Sequence, residues 1–419
     1  MGIFKILLYC VNATQLPSSI CDLIAFVKRL SCAFSTRRLL DFAILTSQMK
    51  KLSLLFLGFI FLLGAVPITH AQDTSFKQEF TKAKVFSVEK DGVKNVNGRK
   101  NPFQNLVLEL LDGDAKGKHI RLEHGGDVVI SKDQKVGPGE TLILTRIDQD
   151  GKISYRIIDR YRLPSLLWIV LVFFILVVFL TGKKGLGSII GLIVSLLIIV
   201  MFIVPQILSG SDPLTISIIG SLVIMLLTLY LAHGLNNRTT IAVVATFLSL
   251  ILTGVIAVIS VHVSKLSGLG SEDAYNLLLN SGRNINLQGL LLGGIIIGSL
   301  GVLDDTTTTQ STTIAELARA NPHYSMKQLF ASGMTIGKEH IASLVNTLVL
   351  AYAGAAMGVF IFIIIGLQSH SQPWWVIFNS EIIAEEVIRT LAGSMGLVLA
   401  VPITTLLAAF FAKHEIRIR

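Results

Sequence analysis

The 419-residue chain has little charge and almost no cysteine. Charged residues make up 15% of it and apolar residues 52%, with a mean hydropathy of +0.68. This composition excludes a soluble globular domain and a disordered chain. The three cysteines are Cys10, Cys21 and Cys32. Nothing after residue 32 can therefore form a disulfide or a thiolate metal site.

Several catalytic motifs are also missing. The sequence has no HExxH, no serine elbow and no GxGD-type aspartyl pair, which argues against proteolysis. It has no GxxxxGK[ST], which excludes self-powered ATP transport by this chain. His119 and His124 have no third ligand in sight, so we interpret them as surface residues rather than a metal site. We expect a protein that is not an enzyme and holds no cofactor or metal.

Residues 49–71 have the parts of a secretory signal peptide: two lysines, an apolar run from Leu52 to Val66, and small residues before Gln72. Since signal peptides act from the N-terminus, we predict that translation starts at Met49 and that 1–48 is an over-called N-terminus. The alternative is an uncleaved anchor helix, which gives the same orientation downstream.

Residues 72–163 are hydrophilic and read as a β domain. Short alternating runs are separated by turn signals such as Gly137-Pro138-Gly139. Five strands in this length predict a small barrel of the OB or SH3-like kind. No aromatic platform accompanies the basic residues, so we expect no nucleic-acid binding. The formal charge of +9 falls to +4 without residues 1–71 and requires no polyanionic partner.

From residue 164 the chain becomes apolar, and about seven segments can cross roughly 30 Å of hydrocarbon. We predict spans at 166–182, 187–208, 214–233, 240–263, 289–312, 341–367 and 391–412. With the β domain outside the cytoplasm, the C-terminus lies inside. The predicted inner loops hold nine basic residues and the outer loops two, which agrees with the positive-inside rule. These are Lys183, Lys184, Arg238, Arg319, Lys327, Lys338, Lys413, Arg417 and Arg419 inside, and Lys265 and Arg283 outside.

The fifth span carries two adjacent aspartates, Asp304 and Asp305, followed by a hydroxyl-rich stretch. One interpretation ends the span at Leu303 and places the pair in the first turn of a cytoplasmic helix. The other continues one helix to Arg319, so that the pair lies near its middle and binds protons or a cation. We favour the second. Three nearby hydroxyl residues are then candidates for lining a pathway: Thr308, Thr309 and Ser311.

Two further polar groups lie in or near later spans. Glu385 can pair with Arg389 on one helix face, and this cluster is either an interfacial helix or part of a substrate gate. Asn346 and Thr347 interrupt the sixth span, where they either bond to a neighbouring helix or line a pathway. GxxxG patterns in the fifth and sixth spans predict that these two helices pack closely.

The stretches GVLDDTTTTQSTTIAELARANP, LFASGMTIGKEHIASLVNTLVLAYAG and NSEIIAEEVIRTLAGSMGLVLAVPITTLLAAF resemble the YibE/F family of bacterial membrane proteins. The resemblance implies a multi-spanning inner-membrane protein. By motif, the positions it implies as functional are Asp304, Asp305, Asn346, Glu385 and Arg389. The Gly301–Asp305 segment is also similar to the GxxxDD-type motif on the proton-relay helix of resistance-nodulation-division exporters, which favours proton coupling.

Two functions remain open from the sequence. The first is a secondary transporter or permease for an unknown small molecule, with Asp304 and Asp305 as the site at which protons or a cation would couple to transport. The second is a membrane anchor, assembly or sensor protein whose outer β domain binds a partner. Membrane lipid is an expected partner of either, and a homo-oligomer is possible.

Overall fold

The computed structural model describes residues 79–96, 99–125, 129–149, 152–280, 285–369 and 373–418. The predicted over-called N-terminus and signal peptide lie outside these residues. The described residues belong to two compact units, which divide between Ile189 and Ile190.

The first unit contains a five-stranded antiparallel sheet in the order β3-β2-β1-β4-β5. The strands are β1 (Glu79–Val96), β2 (Arg99–Leu110), β3 (His119–Gly125), β4 (Thr141–Gln149) and β5 (Lys152–Arg160). Strand β1 is central, and two register shifts, between Val85 and Ser87 and between Val88 and Lys90, bend it. The sheet therefore curves into a half-barrel. The predicted small β domain is confirmed, and its OB or SH3-like type stays a prediction.

Alternation explains the core of the half-barrel. Ala83 and Val85 on β1 point to the same face as Leu106, Leu108 and Leu110 on β2, and all five are at most 1% exposed. Side chains two residues apart on a strand share one face, so the period-two pattern places the apolar residues together. Leu142 and Leu144 on β4 and Val136 complete this cluster.

Ten helices follow in the described part of the chain. They are α1 (Leu163–Thr181), α2 (Lys183–Leu208, with a π-helical turn at Ile199–Ile203), α3 (Pro213–His233), α4 (Asn237–Val263), α5 (Glu272–Asn280), α6 (Leu287–Ala320), α7 (Met326–Ala355), α8 (Met357–Gln368), α9 (Trp374–Phe378) and α10 (Glu381–Ile418). Polar side chains cap several N-termini, as Asn286 does by accepting the Gly289 N–H.

The long helix α6 is the centre of the second unit. It packs against α3, α4 and α10, and α10 also packs against α4 and α7. The apolar cluster around α6 contains Ile296, Leu300 and Leu303, which are all at most 3% exposed. Because α6 is enclosed on three sides, polar residues on its buried faces must find partners on these neighbours.

Six described helices are long and apolar enough to cross a membrane, and the bent pair α7 and α8 makes a seventh if it is counted as one span. The predicted fold class, an α-helical membrane protein of about seven spans with an N-terminal β domain, is therefore confirmed. Two boundaries differ. Helix α7 begins at Met326 rather than near 341, so Lys338 lies within a helix and not in an inner loop. Helix α10 begins at Glu381 rather than near 391.

Helices α7 and α8 are inclined to each other by 68° at a break next to Ala356. Helix α7 starts against the rest of the unit, where Gly333 and Gly337 are buried. Helix α8 packs through Ile363 against Ile377 of α9 and Ile383 of α10. Between Gly337 and Ala356, no residue of α7 is buried. This part of α7 therefore makes few contacts within the unit.

Helices α6 and α7 pack against each other as predicted, but not through the glycines of the GxxxG patterns. At Gly298, Gly354 and Gly358, no atom of the described chain lies within 4 Å of the position that a Cβ would take. The close approach instead uses Gly333 and Gly337 of α7. A Cβ on Gly337 would lie 2.5 Å from Val401 Cγ1 of α10. Four-residue spacing of glycines therefore does occur at a helix contact, but on another segment.

Candidate functional site

Asp304 lies halfway along α6, and its carboxyl group points towards α3. Its Oδ2 is 3.3 Å from the hydroxyl of Thr228. Its Oδ1 is buried and has no hydrogen-bond partner in the described chain. Helix α6 is continuous from Leu287 to Ala320, as the mid-helix interpretation of the aspartates requires. The site thus offers a carboxyl group with one hydroxyl partner and one unoccupied acceptor oxygen.

Burial among apolar neighbours decides what this carboxyl group can do. Leu303 next to it is fully buried, and Met225 and Leu229 of α3 belong to the same apolar cluster as Leu303. No ion pair involves Asp304 among the described residues. An ionised carboxylate in such surroundings is costly, and taking up a proton removes that cost.

Towards the Ala320 end of α6, the buried polar groups are paired with one another. The hydroxyls of Thr246 on α4 and Thr307 on α6 are 2.7 Å apart. The amide of Gln310 donates to Thr405 Oγ1 of α10 at 2.7 Å and to the carbonyl of Gly333 at 2.9 Å. These bonds tie α6 to α4, α10 and α7. This half of the interior is therefore closed by hydrogen bonds.

Towards the Leu287 end, the interior contains hydroxyl groups without partners. Ser221 on α3, Ser249 on α4 and Ser394 on α10 are buried, and their Oγ atoms make no hydrogen bond in the described chain. Unsatisfied buried polar groups are uncommon and call for an explanation, such as a bound water or ion. The unpaired hydroxyls lie level with Asp304 or on its Leu287 side, where Ser299 and Thr253 bond only to carbonyl oxygens of their own helices. The interhelical bonds of Thr307 and Gln310 lie on its other side.

Asp305 does not share the site of Asp304. It is exposed on a face of α6 that does not contact α3, and it has no hydrogen bond or ion pair among the described residues. Successive residues of a helix point about 100° apart, so adjacency in sequence separates the two carboxyl groups. The predicted pair is therefore two independent sites.

The hydroxyl candidates divide in the same way. Thr308 is partly buried and donates to the Asp304 carbonyl oxygen at 2.5 Å. Ser311 is buried and donates to the Arg238 carbonyl oxygen at 3.0 Å. Thr309 is exposed beside Asp305. Only Thr308 and Ser311 therefore lie on the Asp304 side of the helix.

Glu385 does not form the predicted ion pair with Arg389. Its Oε1 accepts the Gly270 N–H at 2.9 Å, and the residue is 5% exposed. Arg389 pairs instead with Glu386, at 3.5 Å. The predicted ion pair between residues four apart does not form because the Glu385 side chain points to the loop before α5, where it accepts a backbone N–H instead. Glu381 accepts the Gly268 N–H of the same loop at 3.0 Å.

Asn346 and Thr347 lie on the part of α7 without buried residues, and both are exposed. Thr347 donates to the carbonyl of Ser343 in its own helix at 2.9 Å. Neither residue contacts the Asp304 site in this conformation.

Among the described residues, no group of three or more histidine, cysteine or carboxylate side chains could hold a metal ion.

Comparison with protein families matches residues 169–414 to the YibE/F-like protein family. The chain belongs to this family. The match covers the helices of the second unit up to residue 414 of α10 and so includes both aspartates. Comparison with curated proteins and with solved structures gives no match. The predicted family resemblance is thus confirmed over more than half of the chain.

The sequence did not indicate several residues of the site around Asp304. Thr228 lies 76 residues before Asp304 and is one of many hydroxyl residues in apolar helices. Gln310 carried a usable signal, because a glutamine inside a long membrane helix needs partners. The partners of Thr307 and Gln310, on α4 and α10, became visible only in the tertiary structure.

The half-barrel has a cavity of its own, of about 580 Å³. Its lining includes the apolar residues Leu122, Val136 and Ile157 and the charged residues Arg156 and Asp159. The hydroxyl of Thr145 is buried in this wall without a hydrogen-bond partner. A cavity of this size accommodates a small organic molecule or a partner side chain.

Proposed function

We propose that this multi-pass membrane protein is a secondary transporter coupled to protons, with Asp304 as the coupling carboxyl group. The observation that carries the proposal is the single carboxyl group enclosed at the middle of α6, with one hydroxyl partner and one free acceptor oxygen. Intramembrane ionisable residues are rare and mark ion pathways or proton relays. The same site could bind a small cation in place of a proton.

The break between α7 and α8 supports transport. Discontinuous helices are a recurring feature of secondary transporters, where they form substrate and ion sites near the middle of the membrane. Here the 68° bend separates a stretch of α7 with few contacts from α8, which is held by α9 and α10. A segment with few buried contacts is a natural moving part.

The arrangement of hydrogen-bonded and unbonded polar groups around α6 supports access of protons to Asp304 from one side of the membrane. We propose that the half-barrel formed by β1 to β5, called the β unit, lies outside the cytoplasm and the C-terminus inside, as the basic residues indicate. The Leu287 end of α6 is then the outer end. Protons would reach Asp304 from outside past the unpaired serines, while the bonds of Thr307 and Gln310 close the inner half.

Proton binding is measurable without knowing the substrate. Infrared difference spectra of the protein in liposomes, recorded across a pH titration, should contain a protonated-carboxyl band that Asp304→Asn removes. The matched control is Asp273→Asn, which changes an exposed carboxyl group of α5 outside the spans and should leave the band intact. A band unchanged by Asp304→Asn would refute the role of Asp304.

Transport is tested in the same liposomes. A pH gradient should drive accumulation of a small molecule found by screening, with uptake lost in Asp304→Asn and kept in Asp273→Asn. Both variants should insert normally, because asparagine keeps the shape of the side chain. Full pH-driven uptake by Asp304→Asn would contradict the coupling.

A second candidate function is binding of a partner by the β unit, with the helices as an anchor. The cavity of the half-barrel and the unpaired hydroxyl of Thr145 within its wall favour it. Substituting Thr145 by isoleucine would remove the unpaired hydroxyl and narrow the cavity, and it should weaken such binding while leaving proton uptake unchanged.

A further inference from the structure

Helix α6 presents a polar face to its surroundings. This face is exposed from Gly298 to Thr312, and it carries no large apolar side chain. Its residues are Gly298, Gly301, Asp305, Thr309 and Thr312; towards the Leu287 end, the Arg389 side chain lies against Gly294. At its middle, Asp305 has no hydrogen bond or ion pair within the described chain. A carboxylate facing hydrocarbon at this depth costs about 2.5–3.5 kcal/mol on insertion scales, so lipid is a poor neighbour for this face.

Helix α7 has an exposed face of complementary charge. Residues spaced by three or four along it are all exposed: Thr335, Lys338, Ala342, Asn346 and Val349. Lys338 lies twelve residues inside the helix and has no ion pair among the described residues. A lysine and an asparagine towards lipid are again unfavourable.

The two faces are at matching depths. Within the chain, α7 runs antiparallel to α6, and Gly333 and Gly337 lie against Ile314 and Gln310 respectively. Extending this register places Ala342 level with Asp305. Lys338 is then four residues, or about 6 Å, from that level, which a lysine side chain can span.

One chain cannot bring the two faces together. Residues of a helix advance by about 100° each, so Asp305 points about 140° away from Gln310, the α6 residue that meets α7. Lys338 likewise points about 140° away from Gly333. Each charged face is therefore turned away from the contact between α6 and α7.

Helix α1 is not a suitable cover for either face. Its segment from Leu166 to Leu180 reads LLWIVLVFFILVVFL and offers no charged or hydroxyl side chain. It could not neutralise Asp305 or Lys338. A second copy of the chain supplies both charges at the required depth, since the membrane holds every copy at the same level.

We propose that the protein forms a two-fold dimer in which the α6 face of each copy packs on the α7 face of the other. The two-fold axis runs along the membrane normal, so the contact occurs twice. Asp305 of one copy pairs with Lys338 of the other in each contact. The small residues Gly298 and Gly301 let the helices approach closely at the outer half.

Cysteine cross-linking tests the contact with both charges left in place. Cys10, Cys21 and Cys32 are first replaced by serine in the full chain. A chain with Thr312→Cys and one tag is co-expressed with a chain carrying Thr335→Cys and another tag, since 312 and 335 are level in the register. Mild oxidation of membranes should give a dimer band that contains both tags and disappears on reduction. Absence of this band would overturn the proposal.

Charge reversal tests the ion pair. Asp305→Lys alone, or Lys338→Asp alone, should reduce the cross-linked fraction at least several-fold, while Asp273→Lys on α5 should not. Co-expression of a chain carrying Asp305→Lys with a chain carrying Lys338→Asp should restore it, because both contacts then join opposite charges. If the fraction recovers only when both reversals are in one chain, the pair is intramolecular and the proposal is wrong.

Discussion

The hydrogen bond between Thr246 and Thr307 should stabilise the helix bundle by an amount that a double-mutant cycle can measure. Both residues are fully buried, and their hydroxyl oxygens are 2.7 Å apart across α4 and α6. Valine has nearly the same shape as threonine, so Thr→Val removes the hydroxyl group with little change in packing. Hydrogen bonds between membrane helices contribute about 0.6 kcal/mol on average and at most about 1.7.

The two single variants should not be equivalent. The Thr307 hydroxyl also lies 3.3 Å from the Asp304 carbonyl oxygen. It therefore keeps a hydrogen-bond acceptor when Thr246 is replaced by valine. Thr307→Val leaves the buried hydroxyl of Thr246 without the bond to α6, and an unsatisfied group costs about 1–3 kcal/mol. We expect Thr307→Val to be the more destabilising change, with a coupling free energy of about 0.6–1.7 kcal/mol between the two positions.

Unfolding of the purified protein in mixed micelles of increasing denaturant content supplies the four free energies. The control is Thr347→Val, whose hydroxyl bonds only within its own helix at an exposed position; it should change stability by less than about 0.5 kcal/mol. Additive single variants, with no coupling, would refute the role of this bond in holding α4 on α6.

Two further predictions concern other parts of the chain. Gly268 has φ +87°, and a Cβ there would collide with the Leu287 carbonyl oxygen; Gly268→Ala should therefore lower the unfolding temperature much more than Gly210→Ala, where φ is +97° but the space is open. Equal effects would show that only the backbone angle matters. In the β unit, burial raises the pKa of Asp112, but hydrogen bonds from the Thr81 hydroxyl and from the Lys82 N–H at 2.6 Å outweigh it and leave the pKa below the ordinary 3.8. Asp112 should thus contribute stability above that pH and lose it as the pH falls through the lowered pKa; hydrogen exchange of β1 should show an acid-induced loss of protection that is smaller in Asp112→Asn, and an equal loss in both proteins would contradict the prediction.

The sequence by itself determined the membrane fold and the β domain. The thickness of the hydrocarbon core fixes the length of a spanning helix, so an apolar run of that length predicts a membrane span. Apolar residues at every second position likewise predicted strands β1 and β2, because local geometry sets the two faces of a strand. The family resemblance lay in contiguous stretches around Asp304 and Asp305. Local hydropathy does not locate the start of a helix whose first residues are polar, and α7 therefore starts 15 residues earlier than predicted.

Only the tertiary structure decided which polar residues meet. Thr228 reaches Asp304 across 76 residues, and Gly270 reaches Glu385 across 115. These partners depend on how the helices are rotated and arranged around α6, which no local pattern encodes. The adjacency of Asp304 and Asp305 suggested one site, but a helix turns them about 100° apart. The neighbouring helix α3 then encloses one carboxyl group and leaves the other facing outward.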